Sequence, residues 1–319
     1  MLSRIAESLY WMSRYLERVD STARLVEINL LHGIEAEAVI TEAAEWKPLL
    51  VICGHEAAFQ NFPRSEPKAS GETQSWVIEF MTRERANPGS IRQSLRLARE
   101  NARVVRDRIS KEMWEAVNEL WLRSEERLAR PPAPDYYRML RSEVARFHGL
   151  TVSTMMRGEA FGFYLLGFFL ERADMTSRIL DVKYHLLLPD VSLVGSPLDY
   201  YQWAALLKSM SGFEAYRRKH QALRPEDVAE FVVLDPEFPR SLRFAVDRMQ
   251  QALVSVGGTE AMACVMELSA LLEKHDTGGL MHEGLHEFLG RFLQCTSALH
   301  DALEDEYFEA HLGERACAT

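Results

Sequence analysis

The sequence predicts an all-α protein, an internally duplicated helical bundle with pseudo-two-fold symmetry. Three observations predict it. Apolar residues recur with helical periodicity along nearly the whole chain. Strand signals are nearly absent, with no long alternating run of Val, Ile and Thr and no Asn-Gly or Asp-Gly hairpin turn between apolar runs. The third observation is a repeat: Leu16-Glu17-Arg18-Val19-Asp20-Ser21-Thr22-Ala23-Arg24 returns as Leu170-Glu171-Arg172-Ala173-Asp174-Met175-Thr176-Ser177-Arg178. Further pairs follow in the same order. Trp46-x-x-Leu49-Leu50 matches Trp203-x-x-Leu206-Leu207, Glu79-Phe80 matches Glu230-Phe231, and Pro88-x-Ser90-Ile91-Arg92 matches Pro239-x-Ser241-Leu242-Arg243. The offset moves from 154 to 157 to 151 residues, as short loop insertions produce. Such a unit is far longer than a solenoid repeat.

Taken in order, the first helix is predicted over 2–32, where apolar Leu9, Met12, Leu16, Val19, Ala23, Val26 and Leu30 fill one sector of the wheel. A second spans 35–60. The polar segment Asn61–Ser75 holds Pro63, Pro67 and Gly71 and reads as a loop. Helices follow at 75–83, at 89–108 (with Pro88 where a helix start tolerates proline), at 111–129 and at 136–156. Pro131-Pro132-Ala133-Pro134 is the sharpest break and lies near the seam between the copies. The helix at 159–187 carries the most apolar run, Ala160–Leu170, ahead of the second Glu-Arg pair and reads as buried. Leu188–Ser196 connects to helices at 196–219, 225–233, 239–255, 259–274 and 280–311, and the end of the chain should fray. The expected organisation is a first helical repeat over 1–150 and a second over 151–311, packed as one compact body, with a flexible tail at 312–319.

Composition sets limits on function. The 319 residues are 47% hydrophobic and 26% charged, ordinary values for a soluble globular chain with a sizeable core. A net charge of -10 argues against nucleic acid as the main partner, because phosphate binding needs a basic surface. The run Ala160–Leu170 is too short to cross a bilayer, so no membrane is expected. The N-terminus is amphipathic and contains acid, unlike a signal peptide. Cys53, Cys264, Cys295 and Cys317 show no metal spacing and no disulfide density, which suits reduced thiols in a cytoplasm. No cofactor is implied, since phosphate-binding glycine loops are absent.

Three patterns are candidates for chemistry. In the Glu-Arg helices, Glu17, Asp20, Arg24 and Glu27 share one face, while Arg18 points about 100° away. Neighbours in one helix do not face each other, and buried charge needs a partner. Glu17 should therefore meet Arg172, Glu171 should meet Arg18, and Asp20–Arg24 and Asp174–Arg178 should pair four apart. This network either fixes how the copies dock or forms a polar pocket for a small charged or peptide ligand, in which Arg24 and Arg178 take part. Second, Arg92, Arg96, Arg99, Arg103 and Arg106 form one stripe. All but Arg92 lack an Arg counterpart in the second copy, so the stripe either pairs with nearby acids or presents an anion-binding face. Third, His282-Glu283-Gly284-Leu285-His286 has the H-E-x-x-H spacing of a zinc helix. Gly284, the charge at Glu287 and the lack of a following G-x-x-H argue against a metal there.

These strings resemble the alpha-E family, an all-helical bacterial domain of unknown function named for its Glu-Arg motif. The resemblance runs over nearly the whole chain and is carried by Leu9-Tyr10-Trp11-Met12-x-Arg14-Tyr15-Leu16-Glu17-Arg18, Ala98-Arg99-Glu100-Asn101-Ala102-Arg103, Met156-Arg157-Gly158-Glu159, Leu170-Glu171-Arg172-Ala173-Asp174-Met175-Thr176 and Phe238-Pro239-Arg240-Ser241. Phe168 departs from it, standing where an Arg after Gly is expected. The resemblance implies a genomic setting more than a reaction: circularly permuted ATP-grasp ligases as partners, transglutaminase-like proteins nearby, and ATP-dependent peptide or amide ligation. It implies a non-catalytic accessory or substrate-binding subunit that takes a small acidic or peptide ligand. The binding residues would be Glu17, Arg18, Arg24, Glu171, Arg172 and Arg178, with Arg96, Arg99, Arg103 and Arg157. The alternative is an enzyme with its site in the Glu/Arg cluster or, at greater remove, a zinc hydrolase on the H-E-x-x-H helix.

Overall fold

The computed structural model describes residues 1–36, 42–63, 72–186, 197–274 and 284–308. Every regular element in them is helical. In chain order these are α1 (Ser3–Ala36), α2 (Glu42–Ile52), α3 (Glu56–Gln60), α4 (Glu72–Thr82), α5 (Ile91–Val104), α6 (Lys111–Arg127) and α7 (Pro134–Thr154). The second half supplies α8 (Glu159–Leu186), α9 (Pro197–Ser209), α10 (Phe213–Lys219), α11 (Pro225–Leu234), α12 (Leu242–Val256), α13 (Thr259–Glu273) and α14 (Leu285–Leu303), which runs into a π-helical turn at Glu304–Phe308.

The two Glu-Arg helices, α1 and α8, pack on each other more extensively than any other pair, with α5 and α7 against α1 and α12 and α14 against α8. Their crossing is tight. A Cβ on Gly167 would lie 2.2 Å from the Tyr10 carbonyl oxygen and 2.4 Å from Ser13 Oγ, so this position of α8 needs glycine. Leu9, Leu16, Val19, Val26, Phe163, Leu166 and Leu180 are sealed from solvent in one core that spans both halves. Burial of such side chains, at roughly 25 cal/mol per Å² of apolar surface, is what holds α1 and α8 at the centre.

Several boundaries differ from expectation, each for a local reason. The predicted helix 35–60 is two helices, because Gly54 turns the chain at φ +70°. The predicted helix 196–219 breaks at the matching place, where Ser211 adopts φ +52°. Pro88 and Pro239 do not open helices. Ser90 and Ser241 do, their side chains accepting hydrogen bonds from the Gln93 and Phe244 amides. Gly89 and Arg240 are thereby left outside the helices, facing α1 and α8. The predicted helix 280–311 begins only at Leu285, because Gly284 takes φ +95° at its cap. The connector 188–196 and the tail 312–319 lie outside the described residues.

Candidate functional site

The Glu-Arg helices exchange ion pairs across their interface. Glu171, on α8, accepts hydrogen bonds from Arg18 Nε at 2.6 Å and Nη2 at 2.9 Å. Glu17, on α1, accepts from Arg172 Nε at 2.8 Å and Nη2 at 3.0 Å. The pairs four apart also form: Arg24 Nε donates to Asp20 at 2.8 Å, and Arg178 Nε and Nη2 donate to Asp174 at 2.8 and 3.2 Å. Glu17 is 0% and Glu171 2% exposed, so both carboxylates depend on these partners. Glu27 is also buried and pairs with Arg141 of α7.

Each cluster has a third guanidinium that the wheel does not supply, and its origin differs. At Glu171 it is Arg14, one turn before Arg18, whose Nε donates at 2.8 Å and whose Nη1 reaches the Tyr10 hydroxyl at 3.0 Å. The counterpart of Arg14 is Phe168, which lies under the Arg172 guanidinium at 4.1 Å. At Glu17 the third cation is Arg240, from the loop before α12. Its Nη1 donates to Glu17 at 3.0 Å and its Nη2 to Asp20 at 2.5 Å. The counterpart of Arg240 is Gly89. His148, from α7, completes the Glu17 cluster, with Nδ1 bonded to the Tyr164 hydroxyl and Nε2 3.7 Å from Glu17.

The Glu17 cluster is the closed one, with Arg172 and Arg240 each 12% exposed, and the Glu171 cluster the open one, with Arg18 25% and Arg178 39% exposed. A cavity of about 280 Å³ stands against the Glu171 cluster, near the lower end of the roughly 300–1,000 Å³ usual for ligand sites. Arg14, Arg18, Glu171, Asp174 and Arg178 make its charged wall, and Cys53, Gly54, His55 and Gly89 come from the two loops that face it. His55 occupies the space beside Gly89, where a Cβ would fall 1.9 Å from its Nε2. Arg178 lies at the rim, 39% exposed, with Gly54 beside it at φ +70°.

The electrostatics lock these groups in single protonation states. Burial opposes the Glu171 charge, but Arg18 and Arg14 overcome it and hold the carboxyl down to about 2. Asp20 is likewise held to about 2, with Arg240 and Arg24 overcoming its burial. Burial pushes the Cys53 thiol up to about 12. His55 is lowered by burial and by Arg18 and Arg178 nearby, and burial takes His148 down to about 4.

Of the residues expected to bind, Arg18, Glu171 and Arg178 line the cavity, while Glu17, Arg24 and Arg172 belong to the closed cluster. The arginine stripe lies elsewhere, on the outer face of α5. Arg96 donates to Gln93, Arg99 to Asn118 and Arg103 to Glu100, and Arg106 sits over Trp114 beyond the end of the helix. Arg157 packs over Phe161 and donates to the Val152 carbonyl, away from the cavity. Only part of the H-E-x-x-H string lies in the described residues. Gly284 caps the start of α14 at φ +95°, and His286, in α14, is bonded to Asp181. His282 lies outside the described residues.

The comparison with known families agrees with this architecture. A sequence model for Alpha-E, described as a predicted alpha-helical domain with a conserved ER motif, matches residues 1–308. The chain belongs to the Alpha-E family. Its two Glu-Arg pairs are the ones exchanged between α1 and α8. No curated protein and no solved structure matches this Alpha-E chain. Among the described residues, no helix is long and apolar enough to cross a membrane.

Proposed function

We propose that this Alpha-E protein is a cytoplasmic, non-catalytic subunit of a bacterial ATP-grasp-linked peptide or amide ligation system, and that it holds the ligation substrate in the cavity beside Glu171. The observation that carries this reading is the asymmetry between two otherwise matching clusters. A purely structural network has no need of an opening, and the Glu17 cluster shows that the same network packs shut once Arg240 fills the space. The local chemistry supports holding over reacting. General acid–base work needs a group that titrates near the working pH; Glu171 is held near 2 and Cys53 near 12, while burial, with Arg18 and Arg178 nearby, lowers His55 from its ordinary value. The family resemblance supplies the expected partners, a circularly permuted ATP-grasp protein and a transglutaminase-like protein. The test is co-elution of the purified chain with the ATP-grasp protein, with and without ATP and Mg²⁺. A stable complex whose ligation rate falls when the cavity is altered supports the reading. Failure to associate under any of these conditions overturns it.

A further inference from the structure

The sign of the ligand follows from how the two clusters are filled. Each contains two carboxylates and three guanidiniums: Glu17 and Asp20 with Arg24, Arg172 and Arg240, and Glu171 and Asp174 with Arg14, Arg18 and Arg178. The net charge is equal, but the third cation is placed differently. In the closed cluster that cation is itself the plug. In the open cluster it comes from α1, so both carboxylates are already paired while the space stays free.

Glu171 accepts three guanidinium hydrogen bonds, and Asp174 accepts one on each oxygen. A cation entering the cavity would find these acceptors engaged and three positive charges facing it. The donors are not exhausted. Among the described residues, Arg14 uses Nε and Nη1, while Arg18 and Arg178 use Nε and Nη2. Arg14 Nη2, Arg18 Nη1 and Arg178 Nη1 are unengaged, and Arg178 is 39% exposed at the rim. Guanidinium forks suit carboxylate and phosphate geometry. We infer that the cavity binds an oxyanion, a carboxylate or phosphoryl group gripped by Arg14, Arg18 and Arg178, with Gly89 in place of an arginine keeping the space open.

This inference rests on the proposed substrate-holding role of the same cavity and assigns the end of the substrate that enters it. Amide ligation consumes a carboxylate and an amine, and the cavity is suited to the first.

The test titrates four probes into the full chain at constant ionic strength, followed by calorimetry and by the thermal midpoint: acetate, L-alanyl-L-alanine, inorganic phosphate and methylguanidinium. Wild type should bind at least one of the three oxyanions and not methylguanidinium. Binding by the carboxylates alone identifies a carboxylate site, and binding by phosphate alone a phosphoryl site; both support the inference. Arg178→Gln should weaken the oxyanion at least about tenfold, the loss of one charge-assisted donor. Arg14→Phe, which copies Phe168, should abolish oxyanion binding and admit methylguanidinium. If Arg14→Phe does not fold, Arg178→Gln decides alone, because Arg178 is on the rim, 39% exposed, and its loss strands only the half-open Asp174. Methylguanidinium binding to wild type, no oxyanion binding at all, or oxyanion binding unchanged in Arg178→Gln overturns the inference. A sign error leaves co-elution with the ligase untouched, so it is distinguishable from failure of the functional reading.

Discussion

Arg240→Ala tests whether the second cluster is a closed copy of the open one. The substitution removes a guanidinium that donates to Glu17 at 3.0 Å and Asp20 at 2.5 Å, two carboxylates no more than 3% exposed. Each keeps one partner, Arg172 for Glu17 and Arg24 for Asp20, so the loss is two charge-assisted hydrogen bonds rather than two bare charges. Two charge-assisted hydrogen bonds, at about 1.5–3 kcal/mol each, are worth about 3–6 kcal/mol. For a chain of this size that is a fall in thermal midpoint of about 4–9 °C. The loss should depend on pH. The folded Asp20 is held near 2, below its ordinary 3.8, mainly by Arg240 against the cost of burial. Its contribution is fully present above 3.8 and disappears as pH falls toward 2. The difference between variant and wild type should therefore shrink between pH 4 and pH 2. Millimolar methylguanidinium should restore part of the midpoint at neutral pH by entering the vacated space. Differential scanning calorimetry at pH 7 and pH 3 measures both effects. A midpoint at pH 7 within about 1 °C of wild type would refute the view of Arg240 as a charge-bearing plug.

Other expectations follow from the same geometry. Arg172→Ala should destabilise by about 3 kcal/mol, the low end for a broken buried pair, because Arg240 still reaches Glu17; an unchanged urea midpoint would contradict it. Glu171 is held near 2 against an ordinary 4.5, so its stabilisation is complete above pH 4.5 and is lost as the pH falls through 2. Together with Asp20 this predicts a steep acid loss of stability over that window, and a flat profile in urea titrations would contradict it. Arg99→Gln with Arg103→Gln should leave stability within about 1 kcal/mol, as for exposed pairs, since Arg99 contacts Asn118 and Arg103 contacts Glu100 on the surface. If α5 presents an anion-binding face, the same variant should weaken association with the ATP-grasp partner and flatten its salt dependence; unaltered binding would show the stripe to be idle.

The reach of sequence reasoning here can be traced residue by residue. The exchanged pairs Glu17–Arg172 and Glu171–Arg18 were legible because a buried charge on a helix must find its partner on another helix, and a repeat supplies one. The helix breaks at Gly54 and Ser211 were not legible. Apolar periodicity continues through both, and Ser at a positive φ carries no sequence signal. Arg14 was visible as a residue, about 40° from Arg18 on the wheel, but not as a partner, because the exchange of the two Glu-Arg pairs says nothing of a second cation for Glu171 on α8. The start of α14 illustrates a different limit. Gly284 was a recognised weakness in a helix, but only its φ of +95° separates a weakened helix from a terminated one.

The cavity itself depends on positions the repeat leaves unmatched. When Pro88-x-Ser90 is laid on Pro239-x-Ser241, the proline and the capping serine recur, and the residue between them does not. That residue is Gly89 in one copy and Arg240 in the other, and it decides which cluster is open. A second mismatch, Arg14 against Phe168, keeps the charge balanced: the copy without a plugging arginine gains one on α1. A third, His55 against Gly212, fills the space beside Gly89 that a side chain would need. The matched residues explain why α1 and α8 dock, and they would do so equally in a protein with no ligand. The three mismatches point the other way. Gly89 lacks the atoms that would fill the space, while Arg14 keeps the ionic network paired. Buried carboxylates need their arginines paired with or without a ligand; what a binding site adds is the space beside Gly89.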